Sequence, residues 1–259
     1  TLSARIIMKE FQKDKLKVEI YDTRAEMGTA AARDIKAKIA QLLAEKGEIN
    51  MIFAAAPSQN EVLASLAEDK EIEWDRVNAY HMDEYIGLSA DAPQGFGNFL
   101  KDHIFGRAPF RSVHYIDCTA ADPEKEAARY ETLLRENPPD IVVMGIGENG
   151  HIAFNDPPVA DFKDTHGAKV VKLDEVCRNQ QVHDGWFARL EEVPKYAITL
   201  TVPTLVSAPW LFCIVPAKTK ANAVKECLTG EIGEHCPASI LRLQEHAVLY
   251  LDKASASLL

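Results

Sequence analysis

A short apolar run that ends in glycines most constrains the fold of this chain. The run covers residues 141–144, reading IVVM, and is followed by Gly145, Gly147 and Gly150. β-Branched residues in a short unbroken run indicate a strand that is buried on both faces, as in a parallel sheet. Glycines directly after such a strand allow tight turns and a close approach of the backbone to a ligand. Because ligands of open α/β sheets bind beyond the carboxyl ends of the strands, residues 145–158 are the first candidate for a site.

Strands and helices alternate along the rest of the chain. The patterns predict strands at residues 17–21, 49–56, 77–82, 113–116, 141–144, 168–173, 196–202, 210–215 and 247–251. They predict helices at residues 25–46, 61–67, 95–105, 123–136, 218–228 and 238–244. This alternation is typical of an α/β fold with a doubly wound, mostly parallel sheet flanked by helices, a Rossmann-like three-layer arrangement. Since no repeat, low-complexity tract or linker interrupts the pattern, we predict a single domain over residues 1–259.

Composition and charge narrow the classes of partner. The net charge is −10 and no basic cluster occurs, which argues against binding to nucleic acid or to an anionic membrane surface. No apolar run approaches the ~20 residues that a membrane span requires. The five cysteines are odd in number and form no C-x-x-C pair, which fits a reducing cytoplasm better than a disulfide framework or a zinc site. We therefore predict a cytoplasmic protein with neither nucleic acid nor a membrane as its partner.

The glycine-rich segment also matches a dinucleotide-binding pattern. Residues 145–150, GIGENG, fit G-x-G-x-x-G and follow a predicted strand. In that fingerprint the third glycine opens a helix, whereas Pro157 and Pro158 here follow within eight residues. A dinucleotide-dependent oxidoreductase is therefore a minor alternative.

Two titratable groups follow predicted strands and are candidates for proton transfer. His151 comes directly after the glycine-rich turn, and imidazole titrates near neutral pH. It is either a general acid or base, whose tautomer Asn149 and Asp156 could fix, or a structural histidine bonded to the backbone. Asp83 and Glu84 end another predicted strand. They form either a solvated turn or a proton acceptor, and because successive side chains point to opposite faces, only one is expected to serve the site.

A metal site is a further alternative. His81, Asp83 and His151 have suitable ligand atoms, but their positions in the sequence follow no recurrent metal-ligand spacing. We therefore predict no metal.

Four blocks of the sequence resemble one enzyme family. They are YHMDEYIGL at residues 80–88, GFGNFLKDHIF at 95–105, GIGENGHIAFNDPP at 145–158 and VPKYAIT at 193–199. Together they resemble the glucosamine-6-phosphate deaminase (isomerase) family, which shares a superfamily with the 6-phosphogluconolactonases. The resemblance implies conversion of glucosamine 6-phosphate and water to fructose 6-phosphate and ammonia, without a redox cofactor or a catalytic metal. It also implies a sugar phosphate as the partner and allows a homo-oligomer.

The resemblance assigns a role to each candidate residue. Asp83 matches the proton acceptor that moves a proton from C2 to C1 of the sugar. His151 matches the histidine that opens the pyranose ring, and Asn149 and Asp156 match the two residues that assist it. Lys220 matches a lysine that contacts the phosphate.

Departures from the family pattern concentrate on the phosphate end. Residues 54–61, AAAPSQNE, replace a loop that is rich in glycine and threonine. There Ser58, Gln59 and Asn60 can still donate hydrogen bonds to an anion at a helix N-terminus, whereas Glu61 would oppose one unless it points away. Gln181 stands where the family has a phosphate-gripping arginine, whose bidentate contact an amide does not replace.

Smaller departures affect the neighbours of His151. Asn149 stands where many members of the family have Asp, and Asp156 stands where Glu is usual. We therefore expect the proton-transfer half of the site to be kept and the phosphate half to be altered, with a close analogue of glucosamine 6-phosphate as the preferred substrate. A 6-phosphogluconolactonase-type lactonase is one alternative, and it would not need a carbon-proton acceptor at Asp83. A non-catalytic sugar-phosphate sensor is another, favoured by the altered loop and opposed by Asp83 and His151.

Overall fold

The computed structural model describes residues 7–259, which form strands in two sheets and helices around them. The strands are β1 (Lys9–Lys13), β2 (Leu16–Tyr21), β3 (Ile49–Phe53), β4 (Val77–His81), β5 (Asp83–Tyr85), β6 (Ser112–His114), β7 (Ile141–Met144), β8 (Ala168–Lys172), β9 (Tyr196–Leu200), β10 (Trp210–Val215) and β11 (Ala247–Asp252). The α-helices are α1 (Arg24–Leu43), α2 (Asn60–Glu68), α3 (Phe96–Leu100), α4 (Pro123–Glu136), α5 (Glu175–His183), α6 (Val202–Val206) and α7 (Ala221–Thr229). Short 3₁₀ turns and one π-helical turn, Lys101–Phe105, complete the elements.

The larger sheet has eight strands in the order β1-β2-β11-β10-β7-β3-β4-β6. Every neighbouring pair is parallel except β1 with β2. Strand β7 lies in the middle, and its four residues are fully buried. Ile141 and Val143 pack into one core with α1 and α2, whereas Val142 and Met144 pack into the other with α4 and α7. The predicted three-layer α/β fold with a mostly parallel sheet is thus confirmed.

A second, antiparallel sheet was not predicted. It has three strands in the order β5-β9-β8. The chain leaves the larger sheet after His81, and Asp83 then pairs with Thr199 of β9. Hydrophobic periodicity identified β8 and β9 as strands but cannot identify a strand's partner, so the sequence did not separate them from the larger sheet.

Several helix ends follow local signals in the sequence. Thr23 caps α1, because its Oγ1 accepts a hydrogen bond from the N–H of Glu26 (3.1 Å). The helix predicted at residues 95–105 divides into α3 and the π-helical turn that follows it. Helices α5 and α6 were not predicted. None of the helices in residues 7–259 combines the length and the apolar character that a membrane span would need.

Candidate active site

Four neighbouring strands, β10, β7, β3 and β4, end at the same edge of the larger sheet, and the segments after them enclose one cavity. Strands β3 and β7 are adjacent, but the chain continues from β3 toward one side of the sheet and from β7 toward the other. Such a switch in strand order opens a crevice at the carboxyl ends of the strands. The cavity is lined by Ala54, Ala55, Ala56, Ser58, Met82, Asp83, Phe96, Gly145, Ile146, Gly147, His151, Ala153, Phe154, Gln180, Gln181, Asp184 and Lys220.

Asp83 enters this cavity where the chain passes from the larger sheet to the smaller one. The residue is buried, and among residues 7–259 no donor forms a hydrogen bond or ion pair with its carboxylate. Burial raises the pKa of Asp83 well above its ordinary value, and the negative charges of Glu84 and Asp156 add to the effect. A carboxylate that no donor stabilises has a high affinity for a proton, which suits a general base.

Glu84 points to the opposite face and anchors the wall of the cavity. Its Oε1 accepts the N–H groups of Tyr85 (3.0 Å) and Phe96 (2.9 Å), and its Oε2 accepts that of Gly97 (2.8 Å). The ring of Phe96 lines the cavity and stacks on Phe154 with centroids 5.4 Å apart. Glu84 therefore fixes the first turn of α3 in place. The sequence did not predict this structural role.

Replacing Glu84 with Gln tests this anchor. Both oxygens of the carboxyl group accept hydrogen bonds, even when it is protonated at pH 5, whereas the amide group of Gln puts an NH₂ at one of these positions. We therefore expect the free energy of unfolding at pH 5 to fall by about 1–3 kcal/mol. Burial raises the pKa of Glu84 to about 7 from 4.5. The stability that depends on this raised pKa is fully present below pH 4.5 and is lost as the pH rises through 7. The deficit of the variant should therefore shrink between pH 5 and pH 8 in urea unfolding, and a deficit that stays constant or grows would contradict the assignment.

His151 is positioned by the turn of residues 147–150. The N–H of Gly147 donates to the carbonyl of His151 (2.8 Å), and the N–H of Gly150 donates to the carbonyl of Gly147 (2.9 Å). Gly150 adopts a φ of 84°, which glycine accommodates without a steric cost. The glycines thus serve to bring the imidazole over the turn, and no helix begins there, since the next one starts at Glu175. The dinucleotide fingerprint therefore lacks its helix.

The imidazole of His151 has two acceptors at the same nitrogen. Its Nδ1 lies 2.5 Å from Oδ1 of Asn149 and 3.3 Å from Oδ1 of Asp156. We therefore assign the proton to Nδ1, which leaves the lone pair on Nε2. Burial lowers the pKa of His151 to about 3, and the positive charge of Lys220 contributes to this shift. The ring is neutral at physiological pH and can accept a proton at Nε2.

Asn149 and Asp156 belong to a network that reaches α5. The Nδ2 of Asn149 donates to Oδ1 of Asp156 (3.3 Å) and to Oδ2 of Asp174 (3.1 Å). The N–H of Asp174 in turn donates to Oδ2 of Asp156 (3.2 Å). Burial raises the pKa of Asp156 to about 6. Sequence reasoning missed Asp174, whose only signal is an acidic residue just before an unpredicted helix.

The lining of the cavity also includes a buried ammonium group. Lys220 follows β10 and is only 6% exposed. No carboxylate of residues 7–259 lies within 4.0 Å of its Nζ. Burial lowers the pKa of Lys220, whereas the nearby charge of Asp184 opposes the shift. Ser58 and Gln181 line the same cavity. A buried cation without an ion-pair partner favours an anionic ligand.

Two of the predicted anion-binding residues lie away from the cavity. The Nε2 of Gln59 donates to the carbonyls of Met144 (3.3 Å) and Ile214 (3.0 Å), so this side chain joins the ends of β7 and β10. Asn60 is exposed at the start of α2. Glu61 also points away, because Arg24 binds its carboxylate at 2.7 Å. Glu61 therefore does not repel an anion in the cavity, as the sequence had suggested it would unless it pointed away.

Two residues that line the cavity were not predicted, and one candidate metal ligand lies outside it. Gln180 and Asp184 line it from α5 and from the residue after that helix. His81 does not line the cavity, since its Nε2 accepts the N–H of Ile116 (2.9 Å) in the core. It therefore cannot share a metal with Asp83 and His151.

A different group of possible metal ligands lies beside the cavity. His151, Asp156 and Cys177 place ligand atoms within 4.8 Å of one another. The first two of these are already engaged in the Asn149 network.

Comparisons with known proteins agree with this geometry. The model of the family described as glucosamine-6-phosphate isomerases/6-phosphogluconolactonase matches residues 22–250. A glucosamine-6-phosphate deaminase of Listeria innocua is 34% identical over 213 residues, which are 82% of this chain and 89% of the relative. One of Exiguobacterium sibiricum is 38% identical over 194 residues, 72% of this chain and 75% of the relative.

Solved structures give the same result. A monomeric glucosamine-6-phosphate deaminase superposes with a TM-score of 0.84 at 30% identity, over 93% of this chain and 99% of the other. The 6-phosphogluconolactonase of Thermotoga maritima shares the fold, with a TM-score of 0.74 at 23% identity over 92% of this chain and 100% of the other. The resemblance found in the four sequence blocks is confirmed, and the chain belongs to the glucosamine-6-phosphate isomerase/6-phosphogluconolactonase family.

Proposed function

We propose that this protein is an amino-sugar-phosphate isomerase and deaminase, which converts glucosamine 6-phosphate or a close analogue, with water, to a ketose phosphate and ammonia. The observation that carries the proposal is that Asp83 and His151 line one cavity. The relatives named glucosamine-6-phosphate deaminase support it. The reaction class is proton abstraction next to a carbonyl group.

His151 acts first, in opening the sugar ring. Its neutral Nε2 accepts the proton of the anomeric hydroxyl and delivers a proton to the ring oxygen. The C1–O5 bond breaks, and its electron pair goes to O5 while C1 becomes a carbonyl. Asn149 and Asp156 keep the Nδ1 proton in place, so that the ring presents the same nitrogen throughout.

Asp83 then moves a proton between adjacent carbons. Its carboxylate takes the proton from C2, the C–H electrons form a C1–C2 double bond, and O1 gains a proton. Return of the proton to C1 leaves an imine at C2. Water adds to the imine, and ammonia leaves. A carboxylate with a raised proton affinity and a narrow cavity around it suits both transfers.

An assay of the purified protein with glucosamine 6-phosphate and related amino-sugar phosphates tests the proposal. We expect ammonia and ketose phosphate in equal amounts. Hydrolysis of 6-phosphogluconolactone in place of ammonia release would assign the lactonase reaction. Calorimetric binding of the sugar phosphates with no turnover would assign a sensor. Either outcome would overturn the deaminase function.

Location and assembly are further parts of the proposal. The absence of a cysteine framework in the sequence supports the reducing cytoplasm, and the family resemblance allows a homo-oligomer. The solved deaminase at 30% identity is described as monomeric. Light scattering after size exclusion measures the assembly state directly, and a mass near the 28.7 kDa of one chain would exclude the oligomer.

A further inference from the structure

The side chains that line the cavity carry too little positive charge to balance a doubly negative ligand. Lys220 is the only lysine or arginine among the lining side chains of the described chain. The same lining contains the carboxylates of Asp83 and Asp184. His151 is neutral at physiological pH, because its pKa is lowered to about 3. Lys220 therefore supplies the one positive charge of the lining that can balance an anionic ligand.

Asp184 adds a negative charge close to that cation. It follows α5, and its Oδ2 accepts only a long hydrogen bond, 3.4 Å, from Nε2 of Gln180. No lysine or arginine of residues 7–259 lies within 4.0 Å of it. Burial raises the pKa of Asp184, and the positive charge of Lys220 opposes this shift. Glu148 is a second carboxylate that acts on both Asp184 and Lys220.

Two further polar lining residues, Gln181 and Ser58, are neutral. Gln181 is 4% exposed, and its Oε1 is enclosed without a hydrogen-bond partner. The hydroxyl of Ser58 accepts a hydrogen bond from Gln59 (3.1 Å), which leaves its own proton to be donated. An unpartnered buried acceptor is costly unless a ligand donates to it, as the hydroxyl of a singly protonated phosphate can. The Ser58 hydroxyl can donate to a ligand oxygen and the Gln181 carbonyl can accept from a ligand hydroxyl, but neither group neutralises charge.

We propose that the part of the cavity lined by Ser58, Gln181, Asp184 and Lys220 selects a substituent with a single negative charge. The proposal deepens the proposed function, since the substituent is the one at the far end of the amino sugar. A carboxylate and a singly protonated phosphate share this chemistry. With either one, the ammonium of Lys220 balances the ligand, whereas a dianionic phosphate would leave an uncompensated charge in a buried site beside Asp184.

Binding of unreactive sugar alcohols tests the preference without turnover. The ligands are 2-amino-2-deoxyglucitol 6-phosphate, the matching 6-carboxylate and the alcohol with neither group. A phosphate monoester loses its second proton near pH 6. From pH 5.5 to pH 8 we expect the affinity for the 6-phosphate to fall about tenfold or more relative to that for the 6-carboxylate, as measured by calorimetry.

The carboxylate ligand also corrects for titration of the protein. The charged and titratable groups around the site are Lys220, Asp184, Glu148, His151, Asp83 and Asp156. Any change in their ionisation acts on both anionic ligands, so the ratio of the two affinities reports the charge of the ligand itself. The alcohol gives the affinity without an anion.

Two variants identify the residues responsible. Asp184→Asn removes the opposing charge, and Gln181→Arg adds a second cation. Each should raise the affinity for the 6-phosphate at pH 8 about tenfold or more relative to the 6-carboxylate. Asp164→Asn is the control and should change neither affinity, because Asp164 lies outside the cavity, where its carboxylate pairs with Lys169 at 2.8 Å. Circular dichroism checks the fold of each variant.

Three results would overturn the inference. They are a 6-phosphate affinity that holds or rises toward pH 8, no gain in either folded variant, and a lack of binding by all three ligands. Because these alcohols cannot be isomerised, the binding preference is separate from catalysis. If the protein binds these alcohols as expected but releases no ammonia from amino-sugar phosphates, the proposed deaminase function is wrong, whereas the inferred charge preference holds.

Discussion

Asp83→Asn should abolish exchange of the substrate's C2 proton with solvent. The amide has nearly the shape of the carboxylate but cannot accept a proton from carbon, so we expect the exchange rate to fall by at least about 10³-fold, within the range for loss of a general base. The rate is measured by nuclear magnetic resonance as loss of the C2 proton signal in deuterated water. Exchange at the wild-type rate would exclude Asp83 as the proton acceptor.

The same substitution should make the protein more stable at pH 7. Since the folded-state pKa of Asp83 lies above the ordinary value of 3.8, the stability linked to this group is present below pH 3.8 and is lost as the pH rises through the folded value. Asn carries no charge and avoids that loss. A gain in the free energy of unfolding together with a loss of exchange is a combination that a misfolded variant could not produce.

Asp140→Asn is a matched control at the other end of β7. Asp140 is also buried, but its carboxylate accepts hydrogen bonds from Lys46 (2.5 Å) and from the N–H of Asn50 (2.8 Å). Here the substitution should lower the free energy of unfolding by about 2 kcal/mol, because charged hydrogen bonds are lost. Since Asp140 lies away from the cavity, proton exchange should be kept.

The parts of the fold that were predicted well have local causes in the sequence. Strand β7 was placed correctly because an unbroken β-branched run can lie only where both faces are buried. Helix α4 begins at Pro123 as predicted, where Asp122 caps the N–H of Lys125 at 3.3 Å. Asp83 and His151 come together because each follows a parallel strand, and such strands end at one edge of the sheet.

The parts that were missed depend on tertiary contacts. Helix α5 buries Cys177, Gln180 and Gln181 and therefore has no apolar stripe that periodicity could detect. The direction of a side chain in the turn after β3 is also set by its partners. Gln59 turns inward to two carbonyl groups, whereas the adjacent Asn60 is exposed, and the sequence alone did not distinguish them.

Gly147→Ala should disable the site without altering any group that takes part in the chemistry. The φ of Gly147 is not in the left-handed region, so its backbone tolerates alanine, but the new Cβ would overlap the imidazole ring of His151. The ring must move away from Asn149 and Asp156. A displacement of about 1 Å in a catalytic group can cost about 10²-fold in rate, and we expect at least this loss in kcat for ring opening. Gly47→Ala, where a Cβ would meet nothing within 4 Å, is the control and should keep full activity.

A double-mutant cycle separates this mechanism from general damage. If alanine at position 147 acts only by displacing the imidazole, it should cost almost nothing once His151 has been replaced by Ala. The two losses should therefore be strongly non-additive, with the double variant close to His151→Ala alone. Measured from an acyclic analogue that does not need ring opening, Gly147→Ala should recover most of its rate. Additive losses, or no recovery with that analogue, would mean that the glycine serves the fold and that the position of His151 does not limit the reaction.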